Sequence, residues 1–250
     1  MTKPRVILFG SIGIARKCLT EIILKRDIDF LGACCVPLED TWRKNEESVY
    51  DYCLENNIPI LEMSDIAALR PDVGFSVRFN QIIPADVISA FKLGIFNTHG
   101  GILPQYRGVY SNINALIQGE QYYGVTLHYV QQGIDDGDIV AIKKVHIEDD
   151  DTGFTLYKQG EELCYYVLSE NIDAILDGSN ERISQQELVE SGQKVGVYTV
   201  KSTIKKKKVD LHENDQERIY RVIRAFDSPH HEPAYTYING KKVYLRAKWE

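Results

Sequence analysis

No apolar run in this 250-residue chain approaches the roughly 20 residues that a bilayer-spanning helix needs, so no membrane-spanning segment is expected. Cysteine is scarce. Its five copies (Cys18, Cys34, Cys35, Cys53 and Cys164) are odd in number and form no CxxC pair, which argues against a disulfide framework and against a zinc site. Reduced thiols in a cytoplasm are the expectation. The opening Met1-Thr2-Lys3-Pro4-Arg5 runs into a strand pattern without a signal-peptide cleavage site. There is no internal repeat, and no low-complexity tract beyond residues 148–151 and 205–208. Positive charge is not in excess: the net charge is −7, which speaks against a general nucleic-acid binder. The 44% hydrophobic content leaves enough apolar surface for a packed core and excludes intrinsic disorder.

The charge is uneven along the chain. Residues 1–193 carry 16 Lys+Arg against 29 Asp+Glu, a balance of −13, while residues 194–250 carry 13 against 7, a balance of +6. A basic segment after an acidic body points to an anionic partner near that segment, or to attraction between the two parts.

Val6-Ile7-Leu8-Phe9 is a continuous apolar run of the kind a buried parallel strand needs. Gly10-Ser11-Ile12-Gly13 and a helical pattern follow. A second buried strand is expected over 28–36, a helix over 46–57, a strand over 72–77, a proline-started helix over 84–91 and a strand over 94–98. This alternation implies an α/β fold with a mostly parallel sheet and helices on both faces. A Gly/Pro-rich loop then leads to a helix near 110–118, two β runs over 124–131 and 139–147, and a long amphipathic helix over 155–176. Asp177-Gly178-Ser179-Asn180 closes that helix and sets the expected boundary: a core over 1–180 and a small β-containing accessory unit over 181–250. The accessory unit is expected to hold a strand (197–200), a lysine run (205–208), a helix (214–226) and a hairpin turning at Asn239-Gly240, a type I′ signature.

Two stretches carry chemistry. Asn97 and His99 stand two apart at the C-terminal end of a strand, so their side chains share a face. The carboxyl ends of parallel strands are where open α/β sheets build sites. The second stretch is Gly133-Ile134-Asp135-Asp136-Gly137-Asp138, in which one carboxylate could reach His99 and set its tautomer and charge. The alternative is a solvated turn.

Together these stretches resemble the N10-formyltetrahydrofolate-dependent formyltransferase family. The resemblance rests on Asn97-Thr98-His99, Leu103-Pro104-Gln105-Tyr106-Arg107-Gly108, Gly124-Val125-Thr126-Leu127-His128 and Asp135-Asp136-Gly137, in that order. It covers about residues 5–180. Many members have a Ser-Leu-Leu-Pro string where this chain has Gly100-Gly101-Ile102-Leu103-Pro104. The resemblance implies a Rossmann-like formyltransferase core and a catalytic set of Asn97, His99 and Asp135, with Asp136 and Asp138 as ordinary loop acids. An amine would attack the formyl carbon of N10-formyltetrahydrofolate. Asn97 would donate a hydrogen bond to the developing oxyanion, and His99 would donate as well or take the amine proton. Asp135 would orient His99. No metal is implied.

The resemblance also assigns Arg78-Phe79-Asn80-Gln81-Ile82-Ile83 to a loop that cradles the pterin of the folate through backbone groups, the alternative being an ordinary βα loop. Arg78 could also meet a phosphate through its guanidinium fork. Ser11 and the glycines beside it fail the dinucleotide-binding template, yet a helix start there suits an anion. Arg107 and Gly108 either clamp the substrate or lock their loop internally. His128, on an apolar β run, reads as a structural histidine. His230-His231 read as loop residues, because adjacent histidines point apart.

By length and by the stretches Arg224-Ala225-Phe226-Asp227 and Ala234-Tyr235-Thr236-Tyr237, the chain most resembles the sugar N-formyltransferases. These act on dTDP- or UDP-linked amino-deoxysugars for bacterial surface polysaccharide such as O-antigen. Phe226 or Tyr235 could stack on a pyrimidine base. Four lysines at 205–208 without interleaved aromatics read as a solvated loop, so nucleic acid is not the expected partner. Methionyl-tRNA formyltransferase and a formyltetrahydrofolate hydrolase with the same triad are the alternatives. A cytoplasmic homodimer without membrane association is expected from the resemblance.

Overall fold

The computed structural model describes residues 2–41, 46–229 and 231–247; His230 lies outside them. In chain order the strands are β1 (Arg5–Phe9), β2 (Asp29–Cys34), β3 (Val73–Val77), β4 (Gly94–His99), β5 (Arg107–Gly108), β6 (Tyr122–Tyr129), β7 (Ile139–His146), β8 (Val197–Tyr198), β9 (Ala234–Ile238) and β10 (Lys241–Leu245). The helices are α1 (Gly13–Glu21), α2 (Val49–Glu55), α3 (Ile66–Leu69), α4 (Ala85–Ser89), α5 (Ser111–Gln118), α6 (Gly153–Asp177), α7 (Gln185–Glu190), α8 (Val200–Ile204) and α9 (Gln216–Ala225).

The main sheet has the order β2-β1-β3-β4-β6-β7. The pairs β1–β2, β1–β3 and β3–β4 are parallel, and β6 runs antiparallel to β4. This is the expected mostly parallel α/β sheet. Its inner strands are buried: every residue of β3 is buried, the polar Ser76 included, as are Val6 to Phe9 of β1. Local chemistry sets the helix starts. Ser48 caps α2 by accepting from Asp51 N at 3.1 Å, and Asp215 caps α9 by accepting from Arg218 N at 2.8 Å.

The chain packs as two compact units, and both draw on both sides of residue 180. The first comprises Met1–His99, Thr126–Lys143 and Cys164–Glu187. Its core joins Ile7, Phe9, Cys34, Ile66, Ile83, Val87, Phe91 and Ile95. The second comprises Gly100–Val125, Lys144–Leu163 and Leu188–Glu250. In its core Ile113, Leu116, Leu156, Ile219, Val222 and Phe226 pack together. Asn239 and Gly240 both take positive φ, 49° and 75°, as a type I′ hairpin turn requires.

Two expectations for the second unit need correction. The lysine run is not a solvated loop: Lys206 Nζ donates to Asn114 Oδ1 at 2.7 Å, and Lys207 is buried with its Nζ 5.4 Å from the Phe226 ring centroid. Burial lowers the pKa of both amines from its usual value. The strand expected over 197–200 stops at Tyr198, because Thr199 and Ser202 form a reciprocal capping box that starts α8.

Among the described residues no helix is long and apolar enough to cross a membrane, and no group of three or more His, Cys, Asp or Glu could hold a metal ion. Cys34 is buried, and burial, reinforced by the charge of Glu62, pushes its thiol up to about 12. At pH 8 about one molecule in 10⁴ then carries the reactive thiolate. Iodoacetamide at pH 8 is therefore expected to leave Cys34 unmodified in native protein while alkylating it in urea. Peptide mapping by mass spectrometry checks this, and equal labelling in both states would contradict the buried placement.

Candidate active site

The parallel register of β1, β3 and β4 brings their C-terminal ends to one edge of the sheet. Phe9 pairs with Ser76, and Ser76 with Asn97. Loop 78–83 therefore leaves β3 beside the end of β4 that carries Asn97 and His99. Across the other edge of β4, Asn97 stands opposite His128 and His99 opposite Thr126.

The two expected stretches meet. Asp135 Oδ2 lies 3.4 Å from His99 Nδ1. That contact turns the His99 Nε2 away from the carboxylate. His99 is 8% exposed, so the pair is largely shielded from water. A second imidazole joins them: Asp135 Oδ1 lies 3.7 Å from His128 Nε2. The two rings stand edge to face at 6.0 Å. Asn97 is held at both ends of its amide, with Ser76 Oγ donating to Oδ1 at 2.9 Å and Nδ2 lying 3.1 Å from His128 Nε2. His128, read from sequence as structural, thus belongs to this cluster, as does Ser76, which nothing in the sequence marked.

The loop that carries Asp135 is held from α7. Asp135 takes the left-handed conformation at φ 47°, which Asp tolerates better than most residues. The fully buried Gln185 donates through Nε2 to Asp135 O at 2.9 Å and to Gly137 O at 2.6 Å. Arg182 Nε donates to Asp138 Oδ2 at 2.6 Å, and its guanidinium covers the Tyr129 ring at 4.4 Å. Asp136 folds against Gly133. Of the three neighbouring acids, Asp135 is the one beside the imidazoles. Gln185→Leu removes both amide donors from buried carbonyls, which costs about 2 kcal/mol or more. The unfolding midpoint in urea is expected to fall accordingly; an unchanged midpoint would show that the loop is held otherwise.

The remaining expected site residues divide. Phe79 and Ile83 pack into the core of the first unit, Phe79 at 5.6 Å from Phe9, so their side chains are occupied there. Asn80, Gln81 and Ile82 are exposed, Ile82 at 91%, and Arg78 takes a positive φ of 52° at the loop start. Ser11 is buried and its Oγ accepts from Val36 N at 3.0 Å. The start of α1 receives Glu46, whose Oε2 accepts from Gly13 N at 3.1 Å, so a carboxylate of the chain itself sits where an anion was expected.

In the second unit, Arg107 and Gly108 pair with Val197 and Tyr198, and a Cβ on Gly108 would lie 2.2 Å from Tyr198 O. Tyr106 OH donates to Glu120 at 2.8 Å. These contacts hold the loop from within the second unit. Phe226 is corrected: at 1% exposure in the core it has no face to offer a base. Tyr235 is half-buried, with Lys242 Nζ 4.0 Å from its ring centroid.

The formyl transferase family model matches residues 61–172, which include Asn97, His99 and Asp135. The chain is 33% identical over 211 residues to the bifunctional polymyxin resistance protein ArnA of Wigglesworthia glossinidia brevipalpis, covering 79% of this chain but only 30% of that one. It is 31% identical over 252 residues to the methionyl-tRNA formyltransferase of Bacillus cytotoxicus, covering 96% of this chain and 77% of the relative. Its fold matches the crystal structure of WlaRD, a sugar 3N-formyl transferase in the presence of dTDP and 5-N-formyl-THF. That match has a TM-score of 0.79 at 26% identity, over 98% of this chain and 86% of that one. With the Asn97–His99–Asp135 cluster lying inside the matched region and a relative aligned over three quarters of its own length, the chain belongs to the formyltransferase family.

Proposed function

We propose that the protein transfers the formyl group of N10-formyltetrahydrofolate to the amine of a dTDP- or UDP-linked amino-deoxysugar, giving a formamido sugar. The observation that carries the reaction is the convergence of an amide, an imidazole and a carboxylate at the end of β4. Acyl transfer to an amine needs a donor for the oxygen on which charge develops and a group that holds a proton. The Asn97 amide fits the first need. His99 fits the second, with Asp135 orienting its ring through Nδ1.

The exposed Asn80, Gln81 and Ile82 leave loop 78–83 open to a ligand, and with Phe79 and Ile83 anchored in the core the loop would meet the folate through backbone groups. Arg78 would supply charge beside it. Of the acceptor-side residues, Arg107, Gly108 and Tyr235 remain in the proposal. Ser11 would serve through the backbone of its turn, since its hydroxyl is engaged with Val36. Residues 1–180 form the catalytic core in this reading and 181–250 an accessory segment, with Gln185 contributing to the loop that holds Asp135. The protein would act in the cytoplasm as a homodimer; elution as a monomer across a concentration series would remove the dimer.

The likeness to WlaRD, named for a sugar substrate, supports the nucleotide-linked acceptor. The likeness to a methionyl-tRNA formyltransferase favours a second reading, in which methionyl-tRNA is the acceptor. The two are separated by measuring kcat/KM for a panel of dTDP- and UDP-amino sugars against methionyl-tRNA. One sugar nucleotide favoured at least 10²-fold is the expected outcome, and a preference for the tRNA would replace the sugar reading.

A further inference from the structure

Three strands place Ser76, Asn97 and His128 in one row across the sheet. Ser76 Oγ lies 2.9 Å from Asn97 Oδ1, and Asn97 Nδ2 lies 3.1 Å from His128 Nε2. At the far end of the row, His128 Nδ1 lies 2.8 Å from Tyr129 O. A backbone carbonyl only accepts, so the Nδ1 in that contact carries a proton. In a neutral ring Nε2 then presents a lone pair to Asn97. The lone pair accepts from an amide N–H and repels an amide oxygen. Only one orientation of the Asn97 amide satisfies both neighbours, with Oδ1 toward Ser76 and the NH2 toward His128. An amide nitrogen has two hydrogens, so one meets His128 and the second is left for an oxygen at the site.

Burial and the nearby carboxylate act on this ring in opposite directions. His128 is 2% exposed, and burial disfavours the charged form. Asp135 faces it at 3.7 Å from Nε2, and the His99 ring centre lies 6.0 Å away. One carboxylate serves both rings. If His99 carries a positive charge during turnover, a second cation beside it would be opposed.

We propose that His128, held as the neutral Nδ1–H tautomer by the Tyr129 carbonyl, is a positioning residue that fixes the Asn97 amide with its NH2 toward the reacting oxygen, with Ser76 closing the other end. The inference rests on the role given to Asn97 above. The rival arrangement is a cationic His128, whose Nε2–H would favour an Asn97 amide turned over.

The test has two arms. Nitrogen-15 NMR of the histidine rings in wild-type protein at pH 7, without ligands, is expected to show His128 protonated at Nδ1 and bare at Nε2, the signal assigned by its loss in His128→Gln. An imidazolium or an Nε2–H tautomer would overturn the proposal, whether or not a formylated product has been found. In the second arm, His128→Gln keeps an acceptor near the Nε2 position and is expected to retain kcat within about fivefold. His128→Leu lacks the acceptor and is expected to lower kcat about tenfold or more at nearly constant KM, as misplacing an oxyanion donor should. Equal losses in both variants would reduce His128 to a packing role, and wild-type rates in both would remove it from the mechanism. Should His128→Leu fail to fold, Ser76→Ala gives the same comparison from the other end of the amide, with Ser76→Thr as the rescue. A protein that formylates none of the amines tried, yet shows the neutral Nδ1–H ring, would fail the reaction assignment and keep this one.

Discussion

His99→Ala is expected to lower the rate of formyl transfer by about 10² or more while leaving the protein folded. The ring sits at the end of β4, shielded from water, with Nδ1 toward Asp135. Truncation removes the group proposed to hold the proton and takes one of the two imidazoles from beside Asp135. Asn97→Ala is expected to show a loss of the same order, because it deletes the amide proposed to meet the developing negative charge. The two losses should not add: groups that act on one reacting centre fail together, so the double variant is expected close to the worse single one. Asp135→Asn is the informative companion. Asn tolerates the left-handed conformation at this position, so the loop keeps its shape while His99 loses its charged partner. Circular dichroism of each variant verifies the fold, and single-turnover rates verify the loss. Near wild-type rates for both His99→Ala and Asn97→Ala would remove the mechanism.

Gly137→Ala is expected to be as damaging as either, although it removes no chemical group. A Cβ at Gly137 would stand 1.9 Å from Tyr129 O and 2.8 Å from the carbonyl carbon. These are backbone atoms and cannot swing aside. Tyr129 N also donates to Asp138 O at 2.9 Å, and Gln185 donates to Gly137 O, so relief would require both contacts to break. The expected cost is about 2 kcal/mol or more in stability. The displaced loop would carry Asp135 away from both imidazoles, with a loss of turnover near that of His99→Ala. Gly133→Ala is the comparison within the same loop. There the added carbon meets the end of the Asp136 side chain, which can rotate away. Its effect on stability and rate should be several-fold smaller. Equal effects would mean that any change to this loop suffices, and that the approach of Gly137 to the Tyr129 carbonyl is not what sets it.

The strands and the site were legible to different depths. The apolar run of β1 and the polar strand end at Asn97–His99 could be read directly, since burial on both faces leaves β1 with an unbroken hydrophobic string. The pairing of Asp135 with His99 followed from a resemblance in motif order. The place of His128 could not be read the same way. It depends on β6 lying antiparallel to β4 in the register that sets His128 opposite Asn97, and an alternating strand pattern fixes faces but not partners. Gln185 was invisible for a related reason: its side chain acts on two carbonyls far along the chain, and backbone acceptors leave no mark in a sequence. Phe226 was misread although its spacing was available. With Ile219 and Val222 it lies on the helical face that packs into the second unit's core, so the spacing pointed inward. The lysines at 205–208 looked solvated because composition alone hides how a short helical turn carries the consecutive Lys206 and Lys207 inward while Lys205 and Lys208 stay exposed.

The most direct test of the central claim follows the formyl carbon itself. N10-formyltetrahydrofolate labelled with carbon-13 in the formyl group would be incubated with the protein and a panel of dTDP- and UDP-amino sugars, and the label read by NMR. The account predicts that the label moves to a formamide on one sugar nucleotide, in step with tetrahydrofolate release, and that this transfer falls about 10²-fold or more in His99→Ala. Label appearing as formate, whatever amine is present, would contradict it and make water the acceptor at this site.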